Sequence, residues 1–293
     1  IERDQYLGGL LNQCVHTGFG LEYFKEVLTG PEYADRFINK FMGLKGIETS
    51  LRTFVVKLTE DKTITCLMPG AMKEIRAKAV IMATGCRERT REMIHIPGTR
   101  PAGVFPAGLA QKLINIDGLL PGKDIVIVGS GDIGLIMARR FTLEGARVKA
   151  VIEIQKSTRG LVRNMVQCVE DFDIPVYFGH RVAKIHGSKR VEKVSVARVD
   201  DNFNEIAGSA FEIECDTVLV SVGLIPENEL IEMAGVEIDK KTNSPVSAEV
   251  NKTSIPGLFV CGNSYKVYDL VDWVSKDSEL AGRQAAEYLK SKN

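Results

Sequence analysis

One segment, residues 123–153, constrains the fold more than any other part of the chain. It begins with a continuous apolar run, Ile125–Val128, typical of strands buried on both faces of a parallel sheet. A Gly-x-Gly-x-x-Gly loop, Gly129–Gly134, follows at once, and Gly145 stands where the C-terminal glycine of a helix is expected. A second apolar run then ends at Glu153. This order predicts a strand, a helix and a second strand joined as a dinucleotide-binding unit.

The three glycines of this loop predict a nucleotide site. Gly129 allows the tight turn, Gly131 lets the backbone approach a pyrophosphate, and Gly134 lets the helix pack against the strand. The first amides of the helix, at Asp132 and Ile133, then face the phosphates. The alternative is a glycine-rich turn in an α/β protein that binds no nucleotide.

Glu153 predicts which nucleotide is bound. It lies 19 residues after Gly134 (153 − 134), at the position of the acid that binds the ribose in such units. A carboxylate there accepts hydrogen bonds from both ribose hydroxyls and repels a 2′-phosphate. We therefore expect NAD rather than NADP, with NADP kept open by the nearby cations Lys156 and Arg159.

The first residues of the chain resemble the end of a similar unit. Glu2 follows an apolar residue and precedes the Gly8-Gly9 pair, so it takes the position that Glu153 has in the internal unit. We therefore expect a strand, a glycine loop and a helix to precede residue 1.

Other patterns predict further elements along the chain. Tyr33–Leu44 has a helical pattern, Thr49–Leu58 alternates like a strand, and Ala79–Ala83 is a short apolar run typical of a buried strand. Ser275 is a candidate N-cap for a C-terminal helix.

Composition excludes several classes of function. The 38 basic and 38 acidic side chains balance, which gives no electrostatic case for a nucleic acid or an anionic membrane partner. No apolar run approaches the ~20 residues that span a bilayer. The six cysteines and four histidines are scattered without a C-x-x-C pair, so we expect no metal site and a reduced, cytoplasmic protein.

Four segments resemble motifs of the pyridine nucleotide–disulfide oxidoreductase superfamily of flavoproteins. They are Ala79–Gly85, Asp216–Asn228, Ile255–Asn263 and Glu279–Leu289. In that superfamily the first two cross between two nucleotide-binding domains, the third binds the ribityl chain of FAD, and the fourth is the C-terminal helix.

The resemblance implies an α/β fold with two Rossmann-like three-layer dinucleotide-binding domains, the NAD domain being inserted into a discontinuous FAD domain. We expect the first part of the FAD domain at residues 1–115, lacking its first βα unit. The NAD domain is expected at 116–222 and the second part of the FAD domain at 223–293. Only about 30 residues follow Asn263 (293 − 263), as in the two-domain layout of thioredoxin reductase.

The resemblance also assigns residues to the cofactors FAD and NAD. Besides Gly129, Gly131, Asp132, Ile133, Gly134 and Glu153, the cofactor-binding positions are Glu2, Gly9, Val55, Ala83, Thr84, Gly85, Gly223, Gly262, Asn263, Trp273 and Val274. The amides of Trp273 and Val274 are expected to face the flavin ring. Asn263 replaces the aspartate of the family, so we expect weaker FAD binding, because a neutral acceptor contributes less than a charged one.

Cys14 is the candidate catalytic residue. It follows Glu2 at a distance where flavoproteins of this superfamily often place a reactive cysteine, and His16 lies close enough in sequence to favour its thiolate. The competing interpretation is a cysteine that fills the core. Because no partner cysteine is near, the chain does not resemble a disulfide reductase. Arg100–Gln111 and Gly129–Arg140 resemble the non-disulfide branch.

The leading hypothesis is a flavoprotein oxidoreductase that transfers a hydride between NAD(H) and FAD without a redox-active disulfide. The first alternative is an FAD- or nucleotide-binding subunit of an amine, amino-acid or glycerol-phosphate dehydrogenase that passes electrons to a partner protein. The second is a nucleotide-binding module without turnover in this form. The expected partners are a nicotinamide nucleotide and an electron-accepting protein, and a homo-oligomer is left open.

Overall fold

The structure is a computed structural model that describes residues 1–247 and 249–292. Its helices are α1 (Gly30–Met42), α2 (Ala107–Asn115), α3 (Asp132–Leu143), α4 (Val162–Cys168), α5 (Glu229–Met233) and α6 (Val271–Lys290). Its strands are β1 (Thr17–Phe19), β2 (Leu28–Thr29), β3 (Phe54–Leu58), β4 (Thr63–Met68), β5 (Ala71–Arg76), β6 (Val80–Met82), β7 (Cys86–Glu88), β8 (Val104–Pro106), β9 (Asp124–Val128), β10 (Arg147–Glu153), β11 (Val176–Phe178), β12 (His180–Gly187), β13 (Val191–Arg198), β14 (Phe211–Glu214), β15 (Thr217–Val220), β16 (Leu224–Pro226) and β17 (Leu258–Val260).

The chain forms two compact units. The inserted unit is Glu88–Gly223, and the split unit consists of Ile1–Arg87 together with the chain from Leu224 onward. The α/β class and the insertion of one nucleotide-binding fold into another are confirmed. The structure groups residues 88–115 with the inserted unit, because β8 pairs with β15 there and α2 packs into its core.

The inserted unit has three layers. Its central sheet is parallel, with the strand order β11-β10-β9-β15-β8. Helices α2 and α3 cover one face, and the antiparallel sheet β12-β13-β14 covers the other. Because both faces are covered, the central strands must be apolar on both sides.

Strand β9 shows why its sequence is a continuous apolar run. Ile125 and Ile127 belong to the core on the helical face, with Phe141 of α3. Val126 and Val128 belong to the core on the other face, with Val194 of β13. The predicted strand, the helix that follows it and the second strand ending at residue 153 are confirmed.

The end of α3 follows the expected chemistry of a helix C-terminus. Gly145 has φ +84°, a left-handed conformation that glycine adopts without strain. Its amide donates to Thr142 O at 3.0 Å, and the amide of Ala146 donates to Phe141 O at 3.0 Å. These bonds satisfy carbonyls of the last turn and turn the chain back into β10.

The split unit is built around a parallel pair of strands, β6 and β17. The antiparallel sheet β3-β4-β5 and helix α5 share a core with this pair, which includes Leu58, Cys66, Ile231, Leu258 and Val260. The adjacent carboxyl ends of β6 and β17 bring together two of the segments that the sequence analysis singled out.

Two elements of the split unit begin elsewhere than the sequence predicts. Helix α1 starts at Gly30 because Thr29 caps it: Thr29 Oγ1 accepts from Glu32 N at 3.4 Å, and Glu32 Oε2 accepts from Thr29 N at 2.7 Å. The strand expected from residue 49 starts only at Phe54. Residues 50–53 instead bond to the first residues of the chain, and Arg52 has φ +49°, which interrupts a strand.

Within the described residues, no helix is both long enough and apolar enough to cross a membrane.

The core on the helical face of the inserted unit yields a stability prediction. Phe141 is fully buried, whereas Leu143, two residues further along α3, is 54% exposed. We expect Phe141→Ala to lower the free energy of unfolding by about 3–5 kcal/mol, because it leaves a cavity. Leu143→Ala should lower it by less than about 0.5 kcal/mol. Urea unfolding followed by circular dichroism measures both. Equal losses in the two variants would contradict the assigned orientation of α3.

Candidate functional site

The fold itself requires two of the three glycines in the loop after β9. Gly129 has φ +96°, and a β-carbon there would lie 2.1 Å from the carbonyl oxygen of Ser221, at the end of β15. A β-carbon on Gly134 would lie 2.9 Å from Gly129 O. Side chains at either position would push the loop away from the sheet, so these glycines are explained by packing alone.

Gly131 is not required by the fold. Its φ of −70° suits any residue, and a β-carbon there would approach no protein atom more closely than 4.0 Å. The space in front of Gly131 is therefore open. A glycine that the protein does not need for its own packing fits a ligand whose phosphates lie against the backbone.

The N-terminus of α3 faces this open space. The first hydrogen bond of the helix runs from Leu135 N to Gly131 O at 3.1 Å, so the amides of Asp132, Ile133 and Gly134 have no partner within the helix. Together with the helix dipole they form an anion site. The Asp132 side chain bonds to the backbone of a later segment, where its Oδ1 accepts from Leu161 N at 2.7 Å.

Glu153 ends β10 as predicted, but its carboxylate does not face solvent. The residue is only 4% exposed. Glu153 Oε2 accepts from Ser130 N at 2.8 Å and from Ser130 Oγ at 2.6 Å, and Oε1 accepts from Gln155 N at 2.8 Å. The expectation that both oxygens are free for ribose hydroxyls is corrected: in this structure Glu153 holds the glycine loop.

A second candidate site lies at the adjacent carboxyl ends of β6 and β17. Met82 pairs with Val260, and Cys261 N donates to Met82 O at 2.9 Å. Ala83, Thr84 and Gly85 therefore follow one strand, and Gly262 and Asn263 follow its neighbour. Ligands bind at this edge in open α/β sheets.

The residues at this edge fit a polyhydroxy or phosphate group. Gly85 has φ +75°, and a β-carbon there would have no neighbour within 4 Å. Asn263 Oδ1 accepts from Tyr268 N at 3.0 Å and Nδ2 approaches Cys86 Sγ at 3.6 Å, which leaves one lone pair of Oδ1 for a hydroxyl. Thr84 Oγ1 donates to Glu227 O at 2.7 Å.

Asp277 of α6 holds the turn that contains Gly262. The carboxylate is buried and accepts from Gly262 N at 2.6 Å and from Asn251 Nδ2 at 2.8 Å. Burial, together with the charge of Asp277, raises the pKa of Tyr268 to about 12, so this phenol stays protonated. Sequence reasoning missed Asp277, because no local pattern marks an acid that acts from the middle of a helix.

The N-terminus of α6 differs from the prediction. The helix begins at Val271 rather than after Ser275, and Ser275 Oγ instead bonds to Tyr33 Oη at 2.8 Å. The amides of Trp273 and Val274 donate to Leu270 O at 3.1 and 3.4 Å. These amides are therefore hydrogen-bonded within the first turn of the helix, and the expectation that they face a flavin ring is corrected.

The structure does not support a reactive thiolate at Cys14. The residue lies against the N-terminus of α1, where its carbonyl accepts from Gly30 N at 2.9 Å, and its Sγ donates to Leu10 O at 3.4 Å. Burial raises the pKa of this thiol to about 12. His16 Nδ1 is directed at Thr17 O at 3.2 Å. At neutral pH Cys14 is a protonated thiol.

The remaining predicted residues have other contacts in the structure. Glu2 Oε1 accepts from Asp4 N at 2.9 Å, so this acid bonds within its own turn. Gly9 begins a short 3₁₀ helix, and Val55 packs in the core of the split unit. Gly223 has φ +103° and accepts from Arg89 N at 3.0 Å.

Comparison with known proteins identifies a family. The family model described as "Pyridine nucleotide-disulphide oxidoreductase" matches residues 10–276. The A subunit of opine oxidase from Rhizobium meliloti is 27% identical over 238 residues, which are 74% of this chain and 41% of the relative. Its counterpart from Agrobacterium tumefaciens (strain Ach5) is 25% identical over 298 residues, 92% of this chain and 54% of the relative. The chain spans about half the length of these curated relatives.

The fold is also that of a solved structure. The crystal structure of T. acidophilum thioredoxin reductase superposes with a TM-score of 0.75 at 21% sequence identity, covering 98% of this chain and 88% of the other.

The geometry of the glycine loop yields a prediction for nucleotide binding. We expect Gly131→Ala to leave the melting temperature unchanged or slightly higher, because alanine fits this backbone. The same change should weaken NADH binding by about tenfold or more, because the methyl group fills the space for the pyrophosphate. Calorimetric titration measures the affinity.

Two other glycines serve as controls for this experiment. Gly282→Ala adds a methyl group to open space on α6 and should leave NADH affinity unchanged, while raising the melting temperature slightly because alanine favours a helix interior. Gly129→Ala should destabilise the protein by more than about 1 kcal/mol, because it combines a positive φ with a clash. Unchanged NADH affinity in a folded Gly131→Ala variant would contradict the site.

The raised pKa of Cys14 predicts a pH dependence. An ordinary thiol with a pKa near 8.5 is about a thousandfold richer in thiolate at pH 8 than one with a pKa of about 12. We expect iodoacetamide to label Cys14 about a thousandfold more slowly in the folded protein than in urea. The rate should keep rising with pH beyond pH 10. Peptide mapping by mass spectrometry resolves the site, and rapid labelling at pH 7 would refute the assignment.

Proposed function

Because the chain belongs to the pyridine nucleotide-disulphide oxidoreductase family, we propose that it transfers a hydride between a nicotinamide dinucleotide and FAD without a redox-active disulfide. Members of this family use FAD and NAD(P)H. The observation that carries the proposal is Gly131, whose open space faces the free amides of α3. A dinucleotide pyrophosphate matches both features.

On this proposal, the inserted unit binds the nicotinamide dinucleotide and the split unit binds FAD. In the inserted unit, the amides of Asp132, Ile133 and Gly134 hold the pyrophosphate of the nicotinamide dinucleotide. In the split unit, Gly85 and Asn263 hold FAD at the carboxyl ends of β6 and β17. Bound FAD supplies the hydride chemistry, and the protein supplies binding and orientation.

Three contacts fix the FAD-side residues before the cofactor binds. Asp277 fixes the Gly262 amide, and Tyr268 N fixes the Asn263 side chain with Nδ2 directed at Cys86. The remaining lone pair of Asn263 Oδ1 then accepts from a ribityl hydroxyl. Preorganisation of this kind reduces the entropy lost on binding.

The cysteines support direct transfer without a disulfide. None of the six, all of which lie in the described part of the chain, forms a disulfide. Cys66, Cys168, Cys215 and Cys261 are buried, and Cys14 has a pKa of about 12. A thiol that attacks or forms a disulfide reacts as the thiolate, so none of these five residues has the environment of a redox cysteine. The sixth, Cys86, is half-buried, and Asn263 Nδ2 approaches its Sγ at 3.6 Å.

A second candidate function is supported by the relatives. The two opine oxidase proteins match 74% and 92% of this chain. On this alternative the chain is the nucleotide-binding part of a multi-subunit dehydrogenase, and an amine-type substrate rather than NADH supplies the electrons to FAD.

Steady-state reduction of a dye tests the leading function. With FAD added, we expect the protein to oxidise NADH in the presence of dichlorophenolindophenol. Gly131→Ala should raise the KM for NADH, and Asn263→Ala should raise the FAD concentration needed for half-maximal rate, because each removes or blocks a separate binding contact. Cys14→Ser should leave the rate within about threefold, since serine keeps the donor to Leu10 O and the thiolate has no role.

Three results decide between the functions. Loss of activity in Cys14→Ser would place the thiol at the centre of the reaction and overturn direct transfer. Dye reduction by an opine or another secondary amine, with none by NADH, would favour the role in a multi-subunit dehydrogenase. No dye reduction with either donor at saturating FAD would contradict both.

A further inference from the structure

Ser130, the residue between the first two glycines of the loop, is fully buried, and its side chain and backbone both form hydrogen bonds. Its amide and its hydroxyl both donate to Glu153 Oε2, at 2.8 and 2.6 Å. The same hydroxyl accepts from Arg159 N at 3.2 Å. A serine with this many partners fixes the groups around it.

The segment that follows β10 is bound across the glycine loop, and we name residues 155–161 the strap. Ser130 O accepts from Gly160 N at 2.9 Å and from Thr158 Oγ1 at 3.2 Å. At the far end, Leu161 N donates to Asp132 Oδ1 at 2.7 Å. A β-carbon on Gly160 would lie 2.7 Å from Leu135 Cδ1, so the strap packs directly against α3.

Ser130 and Gln155 of the strap occupy hydrogen-bond acceptor positions of Glu153, the acid that would otherwise bind a ribose. A carboxylate offers roughly four acceptor positions, and Glu153 uses three of them for Ser130 and Gln155. The residue is 4% exposed. A ribose diol needs two acceptor positions within reach, and this carboxylate does not offer them.

The charges presented at the strap surface are positive. Lys156 and Arg159 are both exposed on the strap. Lys156 pairs with Asp201 at 2.5 Å, but both side chains are more than 80% exposed, so solvent and salt screen this pair. The buried negative charge of Glu153 is compensated by three donors, and the exposed cations favour a phosphate.

We propose that Ser130 is a positioning residue whose hydrogen bonds to the Glu153 carboxylate keep that carboxylate from binding a ribose. As a result, the nucleotide site does not distinguish a ribose 2′-hydroxyl from a 2′-phosphate. The proposal rests on the proposed function, since it concerns the same dinucleotide. The pyrophosphate contacts at α3 then supply most of the affinity, and these contacts are common to NADH and NADPH. The preference for NAD that Glu153 suggests in the sequence is absent from the intact protein.

The test compares the dissociation constants of NADH and NADPH for the full chain. For the unmodified protein we expect the two constants to agree within about fivefold. Ser130→Ala frees one acceptor position on Glu153 Oε2 and removes one anchor of the strap. We expect this variant to shift the ratio by about tenfold or more in favour of NADH.

Two further variants separate the role of Ser130 from a general loosening. Thr158→Val removes a different anchor of the strap but leaves all three hydrogen bonds of Glu153 in place, so the ratio should stay within about twofold. Ser130→Ala combined with Glu153→Gln should return the ratio to that of the unmodified protein, because the charge that repels a 2′-phosphate is gone. A merely structural loss would weaken both ligands alike and leave the ratio unchanged.

Each remaining outcome overturns the proposal. An unmodified protein that prefers NADH by more than about fivefold already distinguishes the ribose 2′-hydroxyl from a 2′-phosphate, whatever the variants do. An unchanged ratio in Ser130→Ala, or an equal shift in Thr158→Val, removes Ser130 as the controlling residue. In these cases the proposed function stands, because NADH still binds. If neither dinucleotide binds, both the proposed function and this inference are wrong.

Discussion

The close approach of the backbone at Gly129 is the constraint on which the nucleotide site depends. Only a glycine brings the loop after β9 this near to the carbonyl of Ser221, and Gly134 extends the same contact into the first turn of α3. The helix therefore starts directly at the carboxyl end of the parallel sheet. Its free amides point into open space beside Gly131. The anion site is thus a consequence of how strand, loop and helix pack, with no charged side chain needed to form it.

In each unit the proposed cofactor site lies at the carboxyl ends of parallel strands, but different groups hold its backbone in place. In the inserted unit a helix N-terminus and an open glycine face the ligand, and buried Glu153 holds the loop through Ser130. In the split unit the turns after β6 and β17 lie side by side, and Asp277 holds one of them through Gly262 N. In both units a buried carboxylate positions the backbone that would contact a cofactor. Sites of this kind suit a reaction in which the cofactors carry the chemistry and the protein orients them.

The sequence predicted the backbone of the inserted unit well, because strand, glycines, helix and acid are local signals with fixed spacing. It did not predict that Glu153 is masked, since this depends on Ser130 and on a segment that folds back over the loop. It also placed the start of α6 too late. Ser275 is the polar residue that capping rules favour, but the helix begins at Val271, and Asp272 in its first turn accepts from Gly20 N and Tyr23 N, about 250 residues away in sequence. Contacts over such separations leave no local pattern.

In the proposed reaction, a nicotinamide dinucleotide delivers a hydride to FAD within this protein. Anaerobic titration of the FAD-loaded protein with NADH, followed through the visible absorbance of the flavin, tests it without any external acceptor. We expect the flavin to be fully bleached by one equivalent of NADH per bound FAD, in the unmodified protein and equally in Cys14→Ser. A flavin that stays oxidised in the presence of excess NADH and NADPH, although FAD and the nicotinamide nucleotide are both bound, would contradict hydride transfer between them.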